Sequence, residues 1–192
     1  MKDVSTFLAE VTESRRTAQA AERSGFVPPR GLVLPEALEV ALRHRFLLSP
    51  VLACSRLAST SSRVGVPSND RAQIEYWYSR HGSDANWLME TGASSGIVVL
   101  ELDPNLSMHA LAHLVDDNLS WQLPLQFAAQ GKRHVLFEYV QGLPSLRGYS
   151  GVRLHSGSSV LVPPSRTPSG MELVYANPHA APLSVDWQRN AS

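Results

Sequence analysis

The stretch Gly96-Ile97-Val98-Val99-Leu100-Glu101-Leu102-Asp103-Pro104, GIVVLELDP, decides how the rest of the chain is read. A run of β-branched and aliphatic residues bounded by Gly and Pro reads as a buried strand. Side chains alternate across a strand, so Glu101 and Asp103 share one face while Leu102 points to the other. Two carboxylates side by side repel, and a strand that ends this way needs a cation or hydrogen-bond donors between them. Hard divalent cations take oxygen ligands, and carboxylates at i and i+2 supply two of them without ordering a loop. The plainer alternative is a strand end that emerges into water with both carboxylates solvated.

Working outward from this strand, ANWLME before it reads as a short strand followed by a Gly/Ser turn, and SMHALAHLVDDN after it as a short helix with Met108, Leu111, Ala112 and Val115 on one side. Upstream, Ser68, Asn69 or Asp70 can cap a helix over RAQIEYWYSRHG that buries Ile74, Trp77 and Tyr78. The Ser-, Gly- and Pro-rich piece SRLASTSSRVGVPSND is a loop. Pro35 suits the first turn of a helix carrying Leu38, Ala41 and Leu42, and RFLLSPVLAC then turns strand-like. Val4, Phe7, Leu8 and Val11, continued by Ala18 and Ala21, mark an amphipathic arm that stops at Gly25 and Pro28-Pro29. From Leu123 on, LPLQFAA, HVLFEYV, GVRLHS, SVLVPPS and MELVYA read as strands separated by turn residues. Helices early and strands late predict an α+β domain with a largely antiparallel sheet. The expected division is a helical arm over 1–30, the main domain over 31–178, and an irregular tail over 179–192 with Trp187 as its anchor.

The 192 residues suffice for one main domain, and 17 basic against 17 acidic residues leave no net charge, so any contact with nucleic acid must come from a local patch. One cysteine, Cys54, excludes an intramolecular disulfide and a cysteine-based zinc site and suits a reducing compartment. The N-terminal residues lack the apolar core of a signal peptide, and no apolar run has bilayer-spanning length. A cytoplasmic protein without a membrane partner is expected.

Two more segments carry chemistry. In AQGKRHVLFEY, Gly131 leads through Lys132 and Arg133 to His134 at the head of an apolar strand. Two cations and an imidazole beside a Gly-permitted turn can hold phosphate oxygens, although a histidine in this position also serves as an ordinary structural hydrogen-bonder. In SVLVPPSRTPSG, Pro163-Pro164 stiffens the exit of a strand and presents Ser165 and Arg166 beside the sheet, or simply ends the strand.

Taken in order, these pieces resemble the N-terminal catalytic domain of bifunctional DNA primase/polymerases, a branch of the archaeo-eukaryotic primase superfamily found mostly in plasmids, phages and integrated elements. The similarity runs from about Pro35 to Tyr175. It rests on SNDRAQIEYWYSRHGSDANWLMETG, on SGIVVLELDP as the strand of the first acidic motif, on GKRHVLF as the Gly turn and histidine motif, and on VLVPPSRTPSG as the Pro-Pro-Ser segment. The resemblance implies an RRM-like sheet packed with helices, plus a β-rich subdomain. It implies that Glu101 and Asp103 bind Mg²⁺ or Mn²⁺, two ions if the chain is active, and that His134 meets the phosphates of a nucleoside triphosphate. Lys132, Arg133, Ser165 and Arg166 would assist in nucleotide binding. The implied activity is template-directed nucleotidyl transfer on a DNA template and primer in mobile-element, plasmid or phage replication, with unwinding supplied by a helicase on a separate chain. The alternative is a catalytically inactive nucleotide- or nucleic-acid-binding module of the same fold. Three departures bear on that choice: Arg153 stands where a third metal-binding acid is expected, only Arg56 and Arg63 supply cations in the early loop, and the histidine turn has one Gly where two are common.

Overall fold

The computed structural model describes residues 4–52, 64–105, 125–129, 131–143, 150–167 and 170–184. In chain order its elements are α1 (Val4–Arg23), α2 (Glu36–Arg43), β1 (Leu48–Leu52), α3 (Arg71–His81), β2 (Ala85–Glu90), β3 (Ile97–Leu102), β4 (Gln126–Ala129), β5 (Lys132–Glu138), β6 (Val152–His155) and β7 (Ser159–Val162). The helix expected over SMHALAHLVDDN, together with Cys54, Arg56, Arg63 and Trp187, lies outside the described residues.

Local sequence explains where the helices start and stop. Pro35, extended at φ −53° and ψ 145°, caps α2, and its carbonyl accepts from the N–H groups of Leu38 and Glu39. Glu36 and Glu39 in the first turn and Arg43 in the last complement the helix dipole. Asp70 caps α3 by accepting from the Ala72 N–H at 3.1 Å, and Gly82 ends it with φ 60°, a left-handed value that costs glycine little. Gln73, Ile74 and Trp77 form the buried face of α3, with Tyr78 half-buried beside them. A forked ion pair from Arg71 to Glu39, at 2.9 and 2.5 Å, ties α3 to α2.

All strand pairs are antiparallel, in a three-stranded sheet ordered β1-β2-β7 and a four-stranded sheet ordered β4-β5-β3-β6. The fold is thus α+β, with an RRM-like antiparallel sheet and a second β layer, as the pattern of the sequence leads one to expect. The main core gathers Leu38 and Ala41 of α2, Ile74 and Trp77 of α3, Trp87, Met89, Val160 and Val162 of the smaller sheet, and one face of the larger sheet through Ile97, Val99, Phe127 and Leu136. The other face of the larger sheet carries its own cluster, Val98, Leu100, Leu102, Val135 and Phe137. Both faces of β3 are therefore covered, which explains its near-continuous apolar run.

The two sheets are clasped where β2 leaves one for β3 in the other. Thr91, buried, exchanges hydrogen bonds with Gly157 and Ser158 of the β6–β7 turn. Gly92 sits at φ 100°, and a Cβ there would lie 2.7 Å from the Gly157 nitrogen, so no side chain fits. MELVYA, expected as a last strand, instead makes only isolated bridges: Glu172 meets Arg166, and Tyr175 meets Phe127. Its partner changes part-way, so no ladder propagates. The segment at 180–183 is held on the larger sheet by Leu183, which exchanges hydrogen bonds with Leu136 and Glu138. Among the described residues, no helix is long and apolar enough to cross a membrane.

Candidate functional site

The site forms where β3 runs out between β5 and β6. In the β3 ladders Glu101 has His134 of β5 as its partner on one side and Arg153 of β6 on the other. Alternation along β5 sends Lys132 and His134 to the face of Glu101, whereas Arg133, paired with Leu102, goes to the opposite face. The Asp103 N–H donates to the Gly151 carbonyl at 2.9 Å, which carries the β6 side of the ladder one residue past β3, while on the β5 side the paired register ends at Leu102↔Arg133, one step short of Asp103 and Lys132. Directly opposed side chains have Cβ atoms about 5 Å apart, within reach of a lysine. The Lys132 ammonium donates to Glu101 Oε1 at 2.6 Å and lies 3.6 Å from Asp103 Oδ1. The charge between the two carboxylates is supplied by the protein itself.

The second Glu101 oxygen faces two imidazoles, His155 Nε2 at 2.9 Å and His134 Nε2 at 3.6 Å. His155 is the feature that reading the sequence missed. Only its position two residues after Arg153 on one strand hints at it, and the β3–β6 pairing is needed to bring it to Glu101. Burial pushes the Glu101 carboxyl up, but the hydrogen bonds from Lys132 and His155 prevail and hold it down at about 2. It is ionised throughout the neutral range. The Lys132 ammonium is correspondingly raised by the hydrogen bond it donates to Glu101. His134 is buried and stacked on Phe127, ring centroids 4.8 Å apart and 6° between planes, and Phe127 meets Tyr175 edge-on. Burial pulls its imidazole below the usual histidine range, with the Glu101 charge opposing.

Ser165 and Arg166 lie apart from this cluster in the hydrogen-bond network. The Ser165 hydroxyl is fully buried, accepts from the Trp87 N–H at 2.7 Å and lies 3.3 Å from the Trp87 carbonyl. Arg166 has its backbone N–H and C=O engaged by the Asn86 side chain, while the residue as a whole is exposed. These bonds fix the exit of β7 onto β2.

Among the described residues, the side chains around Glu101 do not assemble a two-metal arrangement. Arg153, not an acid, faces Glu101 across the ladder, and an ammonium already occupies the gap between Glu101 and Asp103. Glu138 lies four residues beyond His134 on β5, about 13 Å along the strand. Glu172 lines a cleft with Pro35 and Pro164 instead. Among the described residues no group of three or more His, Cys, Asp or Glu is placed to hold a metal ion.

The antiparallel sheet, with an acid-x-acid strand end beside a histidine-bearing strand, is consistent with a primase/polymerase-type domain. The family model described as bifunctional DNA primase/polymerase, N-terminal, matches residues 37–192, and the chain belongs to that family. Interaction with nucleotides and nucleic acid, and metal-dependent chemistry, go with the family in general. A comparison with curated proteins finds no match.

Proposed function

We propose that this chain binds a nucleoside triphosphate on the β3–β5–β6 face of the primase/polymerase fold without carrying out two-metal synthesis from it. The observation that carries this reading is Arg153 as the register partner of Glu101. A guanidinium there repels a divalent cation and attracts a phosphate, to which it can donate in a fork. Lys132 adds a second cation on the same face, and His134 and His155 line it beside Glu101. The test is melting with and without dATP or ATP, beside extension of a labelled primer–template in Mg²⁺ and in Mn²⁺. The expected result is a nucleotide-dependent rise in Tm with extension at background. Extension that disappears in the Glu101→Ala/Asp103→Ala variant would overturn it.

A second reading, DNA-templated nucleotidyl transfer with Mg²⁺ or Mn²⁺ at Glu101 and Asp103, is favoured by one observation. Glu101 is ionised, and the Lys132 side chain remains 43% exposed, so a long flexible group has room to leave. The DNA primer and template, a helicase on another chain, a mobile-element replication role and a cytoplasmic setting belong with that reading.

A further inference from the structure

Resting on the triphosphate-binding reading, we propose that the Lys132 ammonium is a built-in substitute for the divalent cation, and that phosphate binding on this face is metal-independent. The substitution is imposed by the backbone. Lys132 is diagonal to Glu101 and adjoins the last pair of a ladder whose register runs unbroken from Ile97↔Glu138 to Leu102↔Arg133, so both carboxylates lie within reach of one side chain. Its nitrogen is 2.6 Å from one carboxylate and 3.6 Å from the other, the place between two oxygen ligands that a hard cation would take. The other Glu101 oxygen is held by His155 at 2.9 Å.

Charge makes the functional difference. With Glu101 and Asp103 alone, a polyphosphate would be repelled unless it arrived with a metal. With Lys132 and Arg153 on the same face, the two carboxylates are matched by two permanent cations, and phosphate oxygens can approach a face that is already neutralised. Removing the ammonium should return the pair to what its oxygen donors favour, a divalent ion held by two carboxylates and completed by water.

The full chain is titrated with Mn²⁺, free ion being followed by electron paramagnetic resonance, in the wild type, Lys132→Met and Lys132→Arg. Lys132→Met should bind Mn²⁺ at least about tenfold more tightly than the wild type, Lys132→Arg should match the wild type, and Lys132→Met/Asp103→Asn should lose the gain. ATP binding by calorimetry should be equal within about twofold in EDTA and in Mg²⁺ for the wild type, and metal-dependent for Lys132→Met. Wild-type Mn²⁺ affinity equal to that of a folded Lys132→Met would overturn the substitution. ATP binding only with Mg²⁺ would overturn metal independence and leave the triphosphate reading standing. Wild type that binds no ATP in either condition would remove the triphosphate reading, while the Mn²⁺ comparison still judges the lysine.

Discussion

The two faces of the β3–β5 pair share one backbone ladder and differ in almost everything else. On one face Val98, Leu100, Leu102, Val135 and Phe137 are buried and apolar along nearly the whole pair. On the other, Ile97, Val99 and Leu136 give way to Glu101, His134 and Lys132 within two residues. A face that is apolar throughout fixes the register, because a slip by one residue would send its whole set to the wrong side. That fixed register is what lets the opposite face place charged groups to within hydrogen-bonding distance. Stability is concentrated on one side and chemistry at the end of the other.

Breaking the apolar face should have the largest effect. Leu100→Ala removes a fully buried side chain, with an expected loss of about 2–5 kcal/mol in urea unfolding. A loss below about 1 kcal/mol would mean that this face does not set the stability.

The polar face should answer to pH where the apolar one does not. Glu101 is held at about 2 in the folded chain against an ordinary 4.5, so its ionised form favours folding. That contribution is complete above about 4.5 and is lost as pH falls from there towards about 2. Glu101→Gln should cost about 1–3 kcal/mol at pH 7, by loss of hydrogen bonds to charged partners, and should flatten the stability profile across this acid window. Equal slopes for variant and wild type would show that the Lys132 and His155 contacts do not persist in solution.

The smallest effect is expected at the rim. Asp103 is 46% exposed and 3.6 Å from the lysine, so Asp103→Asn should change stability by no more than about 1 kcal/mol, and less at high salt. A larger, salt-insensitive loss would place Asp103 inside the cluster and sharpen the boundary between structure and site.

Much of this was legible before any coordinates. The start of α2 at Pro35, which caps the helix rather than entering its first turn, the α3 cap at Asp70, one of three candidates with Ser68 and Asn69, the strand over GIVVLEL and the shared face of Glu101 and Asp103 follow from local chemistry and strand period. His134 on the strand beside them was legible through the resemblance. What could not be read was the pairing of β3 with β6, which joins segments far apart in sequence. Without it, neither the position of Arg153 across from Glu101 nor the His155 contact can be deduced. Lys132 was read as a phosphate ligand because its sequence neighbours suggested one, whereas the register gives it carboxylate partners. Ser165 reads as presented beside the end of the sheet, and its hydroxyl is engaged by the backbone of Trp87, a contact that depends on β2 and β7 lying side by side.

The side-chain amide of Gln19 in α1 mimics a peptide unit: its oxygen accepts from the Val66 N–H at 2.7 Å and its nitrogen donates to the Val66 carbonyl at 3.3 Å. The segment around Val66 itself runs along β1, bonded at Leu48 and Pro50, and so forms the outermost rim of the smaller sheet. An open rim of this kind is a template on which another chain can add a strand. By engaging one donor and one acceptor there, with the Arg23–Asp70 ion pair beside it, the arm leaves fewer backbone groups open along this rim.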